Sequence, residues 1–126
     1  MMQELHIEPT KNSPEIIMNP EGFIRIKGRS IHENVAEFFS PVESWINEYI
    51  EKPAEMTSVD ICLEYFNSAS AKVFIHLFEL IKHVNIKNRN FMFNWYYEDG
   101  DDDILERGEY FASVLDVTFN FIKTSV

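Results

Sequence analysis

Positive charge, cysteine and glycine are all scarce in this chain. Its 126 residues carry 11 Lys and Arg against 21 Asp and Glu, a formal net charge of −10. An excess of this sign disfavours nucleic acid and anionic membranes, because both require a positive face, and no Lys/Arg cluster supplies one locally. The single cysteine, Cys62, excludes an internal disulfide and a thiolate pair. Within an apolar segment it reads as a small buried hydrophobe rather than a nucleophile. There is no Gly-rich phosphate loop and no His-Glu-x-x-His, so the common nucleotide and zinc chemistries lack their motifs and no cofactor is expected. No apolar run is long enough to span a bilayer. Met1-Met2-Gln3-Glu4 lacks the basic region and apolar run of a secretion signal. The expectation is a soluble cytoplasmic protein.

What is present is apolar and aromatic: 45% of the residues are hydrophobic and eleven are Phe. That composition suits one folded domain over 1–126, with 1–13 polar and loosely ordered. The stretch from Val59 to Val84 organises the rest. Val59, Ile61, Leu63 and Tyr65 alternate with Asp60, Cys62, Glu64 and Phe66, the period of a pleated strand. Asn67-Ser68-Ala69-Ser70 forms a polar turn, since Asn and Ser favour turns and N-caps. Val73, Leu77, Leu80 and Val84, with Phe74 and Ile81 beside them, then recur at helical spacing and predict a helix over 69–86.

The flanking segments complete an alternating pattern. Residues 15–18 and 23–27 predict a hairpin around Asn19-Pro20-Glu21-Gly22, with Phe23 and Arg25 on one side and Ile24 and Ile26 on the other. A helical turn at 34–39 precedes a main helix at 41–51, for which Ser40, Pro41 and Glu43 supply a cap, an N1 proline and the carboxylate of a capping box. Phe91 to Tyr97 is a strand. The acidic turn 98–103 leads into a helix through Leu115, and Val117 to Ile122 closes the chain as a strand. Strand, strand, helix, strand, helix, strand, helix, strand predicts an α/β fold: a mixed sheet with about three helices on one face and the hairpin at its edge.

Ser68 sits where a strand hands over to a helix start. A first helical turn leaves N–H donors unpaired, and the dipole there favours negative charge. A phosphate on Ser68, bringing roughly −1.5 to −2 charges and several acceptor oxygens, therefore meets donors already in place. The other reading of the same spacing is an ordinary N-cap at Asn67 or Ser68. Elsewhere the candidates for chemistry are weak. His6, His32, His76 and His83 are scattered, and His76 and His83 lie two helical turns apart, so no metal site is expected. Asp99, Asp101 and Asp103 imitate the start of a calcium loop, but Ile104 and Tyr110 stand where the glycine and closing glutamate belong. Ser68, His76 and Asp60 are the right types for a triad, with nothing to bring them together. On the helix after Ser68, Ile75 falls outside the apolar stripe among Lys72, Glu79 and Lys82, and Phe78 sits at its margin. The two either are isolated exposed apolar residues or form a docking patch beside the hydroxyl.

Tyr65-Phe66-Asn67-Ser68-Ala69-Ser70 and the helix after it resemble the SiaC family of bacterial regulatory phosphoproteins. Ser13-Pro14-Glu15-Ile16, Gly28 followed by Glu33-Asn34, Pro41 with Trp45, Trp95 with Tyr97, and Asp103 followed by Glu106, Gly108 and Glu109 agree with it in order and spacing. The resemblance runs from about Pro14 to Ile122. It implies a fold similar to the anti-sigma-factor antagonist (STAS) domain. It also implies a hydroxyl after the Asn, phosphorylated by a GHKL-type kinase and released by a PP2C-type phosphatase. The unmodified form binds a partner, in the best-known branch a diguanylate cyclase that it activates. The acceptor carries over onto Ser68, where the family more often has Thr; Ala69 stands where Ser is common, and Ser70 is the alternative acceptor.

The leading expectation is thus a non-enzymatic partner-switching protein whose binding surface comprises Asn67, Ser68, Ala69, Ser70, Lys72, Ile75, Phe78 and Glu79. Added charge at the edge of an apolar contact weakens docking through repulsion and desolvation. The rival is a small-ligand-binding or enzymatic α/β domain using the strand ends near Ser68 and the acidic turn, since ligands favour the carboxyl ends of strands in open sheets. A cleft with convergent polar groups distinguishes it.

Overall fold

The computed structural model describes residues 2–31 and 33–125. Its elements are β1 (Leu5–Ile7), β2 (Glu15–Asn19), β3 (Phe23–Ser30), α1 (Val35–Tyr49), β4 (Met56–Phe66), α2 (Ser68–Ile81) continued by a 3-10 segment (Lys82–Lys87), β5 (Asn90–Glu98), α3 (Asp102–Leu115) and β6 (Phe119–Thr124). The six strands form one sheet in the order of the chain. β1, β2 and β3 are antiparallel; β3, β4, β5 and β6 are parallel.

Parallel neighbours need a crossover, and crossovers of one hand that always step the same way leave every helix on one face. The contacts agree. Tyr49 Oη of α1 shares a 2.7 Å hydrogen bond with Thr57 Oγ1 of β4. The Phe78 ring of α2 lies 5.2 Å from that of Phe93 on β5. Trp95 Nε1 of β5 donates to the Ile104 carbonyl of α3 at 3.0 Å. The alternate strand residues Ile24, Ile26, Val59, Ile61, Phe93, Trp95 and Phe119 are buried beneath the helices. The opposite face carries a polar row: Asn120 Nδ2 donates to Asn94 Oδ1 and Asn94 Nδ2 to Asp60 Oδ1, each at 2.9 Å.

Four expectations change at the level of elements. The turn at 34–39 and the helix at 41–51 are a single helix, α1, with Pro41 inside it and Asn34 at its N-cap. Proline at that position costs one backbone bond, but Phe39, Val42, Trp45 and Ile46 continue the buried stripe across it, and that burial outweighs the local defect. Residues 5–7, within the segment expected to be loosely ordered, pair with β2 as β1, and Trp45 Nε1 donates to the Gln3 carbonyl at 2.9 Å. The predicted helix at 69–86 narrows to a 3-10 segment after Ile81. The last strand begins at Phe119, because Asp116 takes a left-handed conformation (φ 56°) that ends α3 and turns the chain.

Candidate functional site

The junction between β4 and α2 is set by an irregularity in the sheet. β3 and β4 run in register as far as Gly28 opposite Leu63; the next pair is Arg29 with Tyr65, so Glu64 is an extra residue on β4. A bulge of this kind breaks the alternation and re-aims the residues beyond it. Glu64 and Tyr65 both face outward, Tyr65 being 46% exposed, and Phe66 turns fully into the core. The strict alternation expected from the sequence set Tyr65 on the same side as Val59, Ile61 and Leu63; the bulge separates it from those buried residues.

Phe66 anchors the junction. Its ring meets Phe74, Phe111 and Trp95 at centroid distances of 5.7, 5.5 and 6.1 Å. The next residue, Asn67, is extended (φ −88°, ψ 176°) and caps α2: its side chain accepts from the Ser70 N–H at 2.9 Å and its carbonyl accepts from Ala71. Its own N–H donates to the Ser30 carbonyl at 3.1 Å, tying the turn to the end of β3. Because Asn67 does the capping, Ser68 is the first helical residue and its side chain is exposed. The first-turn N–H groups of Ser68 and Ala69 have no acceptor within the helix.

Ser70 is different. It is fully buried, its hydroxyl donates to the Ser30 carbonyl at 2.9 Å, and it accepts from the Ser30 hydroxyl at 2.8 Å. The alternative acceptor expected from the sequence is therefore withdrawn, as is its place on a docking surface: a phosphate has neither access nor room there. Phe78 is corrected as well. It is 0% exposed, stacked on Phe74 at 6.1 Å and packed against Phe93 and Phe111. The sequence reading centred the apolar stripe on Val73 and Leu80. In the fold α2 lies between α1 and α3, and its buried residues are Ser70, Phe74, Leu77, Phe78 and Ile81. Ile75 is half-buried against the core edge. Ala69, Lys72, His76 and Glu79 form the exposed line that begins at Ser68.

Arg107, which the sequence did not single out, completes the junction from α3. Its Nη1 donates to the Phe66 carbonyl at 2.6 Å, and its guanidinium carbon lies 3.8 Å above the centre of the Phe66 ring. With Ala71, Asp103, Glu106, Tyr110 and Phe111 it lines a groove of about 210 Å³ between α2 and α3. Only packing of α3 beside the end of β4 brings it there, and no local pattern announces that approach.

The other candidates separate. His76 points outward from α2 to Glu43, 3.0 Å away, while Asp60 is on the uncovered face of the sheet in the asparagine row. Ser68, His76 and Asp60 thus do not converge. His6 lies near Glu8 and Glu15, His83 is exposed, and His32 is outside the described residues. Asp101 caps α3 by accepting from the Ile104 N–H at 3.1 Å, with Asp102 and Asp103 in the first turn. Among the described residues no three His, Cys, Asp or Glu side chains are placed to hold a metal ion.

A larger cleft of about 580 Å³ opens where β4 and β5 part beyond the Ile61–Trp95 pair. It is lined by polar groups that include Lys27, Cys62, Glu64, Tyr96, Glu98 and Asp101. Burial, and then the Asp60 carboxylate, push the Cys62 thiol above its ordinary range, which favours its protonated form over the thiolate. Ser68 is not on this lining.

With the geometry in hand, the chain can be set beside known proteins. Residues 7–124 match the model of the SiaC family regulatory phosphoprotein. An uncharacterized protein of Pseudomonas aeruginosa (strain UCBPP-PA14) is 26% identical over 121 residues, 95% of this chain and 94% of its own length. The solved structure of SiaC of Pseudomonas aeruginosa superposes with a TM-score of 0.83 at 25% identity, covering 99% of this chain and all 100% of that one. SiaC bound as activator to the diguanylate cyclase SiaD, from the same organism, superposes with a TM-score of 0.84 at 25% identity, over 97% of this chain and 99% of that one.

Proposed function

The chain belongs to the SiaC family of regulatory phosphoproteins, and on that premise we propose that it is a non-enzymatic, cytoplasmic member of a bacterial partner-switching system, reversibly phosphorylated on Ser68. A GHKL-type kinase adds the phosphate and a PP2C-type phosphatase removes it. The unmodified form docks on an effector, for which a diguanylate cyclase is the model, since Pseudomonas aeruginosa SiaC is the activator of one. The docking surface is the exposed side of α2 around Ser68, with Asn67 shaping its start and Ala69, Lys72, Ile75 and Glu79 along it.

The observation that carries this reading is the division of labour at the junction. Asn67 satisfies the cap, so the neighbouring hydroxyl at Ser68 is exposed and has no capping duty. A phosphate there gains first-turn N–H donors and the positive end of the helix dipole, so modification leaves the fold intact. It also places about two negative charges at the head of the line Ala69, Lys72, His76, Glu79, where an incoming partner must desolvate them.

The test is to incubate the protein with its kinase and ATP, map the modified residue, and compare effector capture by the parent protein, Ser68→Ala and Ser68→Asp. Modification at Ser68 and loss of capture on modification are expected, with Ser68→Ala retaining capture. Modification confined to residues other than Ser68 defeats the proposal. Asp carries less charge and fewer acceptor oxygens than phosphate, so its effect is the weaker one.

The cleft at the parted ends of β4 and β5 favours a second reading, a small-ligand site with convergent polar groups. It differs from the first in location, since Ser68 lies outside it. Calorimetry against a metabolite panel distinguishes them: saturable binding abolished by Glu64→Gln together with Asp101→Asn supports the ligand reading, and heats equal to dilution throughout remove it.

A further inference from the structure

Besides the first-turn N–H donors, a phosphate on Ser68 has a cationic side chain nearby, at the groove between α2 and α3. Ala71, three residues after Ser68 and so on the same side of the helix, is on the lining of that groove. The charged groups of the lining are the Asp103 and Glu106 carboxylates and the Arg107 guanidinium. Lys72, four residues on along α2, is exposed on the same side of the helix as the acceptor.

Arg107 is held ready. Nη1 is committed to the Phe66 carbonyl, two residues before Ser68, and the guanidinium plane rests on the Phe66 ring. Two residues of extended chain span at most about 7 Å, so the carbonyl that pins Nη1 and the acceptor residue are near neighbours. An arginine has five N–H donors in a fixed fork, so most remain for an anion while the bond to Phe66 stays in place. Pinning by the carbonyl and the ring has already removed the rotamer freedom that a flexible lysine such as Lys72 has still to lose. Phosphate oxygens match the fork in two-point geometry.

We infer that Arg107 is the residue that receives the phosphate on Ser68, drawing it toward the α2–α3 groove at the head of the exposed line of α2. This rests on the Ser68 reading above, and it adds a mechanism. The phosphate is docked at a fixed place between two helices, so the modified form presents one defined surface in place of a mobile charge. The Asp103 and Glu106 carboxylates line the same groove, and their like charge limits how tightly the anion is held.

The experiment installs phosphoserine at position 68 during translation, so it needs no kinase. If kinase mapping fails to modify Ser68, the functional proposal fails alone; the titration here judges Arg107 separately. Phosphorus NMR follows the second ionisation of the phosphate, about pH 6 in a free phosphoserine. In the parent protein it is expected below that value, and Arg107→Gln returns it upward by about half a unit or more, because a nearby cation favours the dianion. Lys72→Gln changes it less. As an independent measure in the parent chain, the Arg107 Nε–H resonance shifts and its exchange with solvent slows several-fold on phosphorylation. Should Arg107→Gln fail to fold, Arg107→Lys, which keeps the charge without the fork, is expected to recover only part of the shift. A folded Arg107→Gln protein with an unmoved phosphate titration, a lysine variant equal to the parent, or an Arg107 resonance indifferent to the phosphate overturns the inference.

Discussion

Removing the Ser70 hydroxyl takes from the buried Ser30 hydroxyl its acceptor and from the Ser30 carbonyl one of its donors, the Asn67 N–H remaining. Ser70→Ala is therefore expected to lose about 1–3 kcal/mol, the usual cost of buried polar groups left unpaired. Exposed Ser68→Ala stays within about 0.5 kcal/mol of the parent. Urea denaturation of the two variants side by side checks the contrast, and equal midpoints would contradict the burial described. At Gly108 the constraint is steric. A Cβ built there falls 2.6 Å from the Trp95 indole, so Gly108→Ala forces the α3–β5 contact apart and is expected to cost on the order of 1–3 kcal/mol or more, read as a lowered melting temperature. At Cys62 the proton is held more tightly in the folded than in the unfolded chain. Ionisation thus disfavours the fold as pH rises through the thiol's ordinary range. Alkylation by iodoacetamide at mildly alkaline pH is expected to be slower than for an unfolded control, with the difference vanishing in denaturant. Asn67 and Ser68 were legible in the sequence because capping is local chemistry. Ser70 and Phe78 were not, since their surroundings come from β3, α3 and β5, far along the chain.

Among the elements, β5, α3, the hairpin of β2 and β3 and the regular part of β4 before its bulge were legible because period and turn residues agreed there. Two elements mislead for opposite reasons. At α1 a strong local signal, Ser40-Pro41 with Glu43, predicts a helix start that tertiary burial overrides. Replacing Pro41 with Ala restores an N–H toward the carbonyl of Glu37, and the single helix is expected to gain stability, by about 1–3 kcal/mol. A rise in melting temperature checks this; a fall would show that the proline fits the helix without cost. At β4 the signal is absent: nothing in Leu63-Glu64-Tyr65-Phe66 distinguishes an extra residue from regular alternation. Yet that residue decides which way Phe66 points, and with it where Asn67 and Ser68 lie. The position of Arg107 was unreadable for a related reason, because the packing of one helix against the end of a distant strand leaves no periodic trace.

For the whole molecule, the class of fold was legible and its rim was not. Leu5–Ile7 completes the sheet and shields the edge of β2, and open edges invite pairing with other chains. Deleting residues 2–8 is expected to shift Trp45 emission to the red, since its indole N–H loses the Gln3 carbonyl, and to produce oligomers on size-exclusion chromatography. An unchanged spectrum with a monomeric profile would show that the strand is dispensable.

The strand order has a further consequence for how the molecule is made. Position in the sheet equals position in the chain, from β1 at one rim to β6 at the other. As the polypeptide leaves the ribosome, each new helix and strand finds its template already emerged and never waits for a later segment to be slotted between earlier ones. Ser68 and the central strand it follows emerge before β5 and α3, and Arg107 arrives only with α3. On the reading proposed above, the Ser68 hydroxyl therefore emerges before the guanidinium that would receive its phosphate.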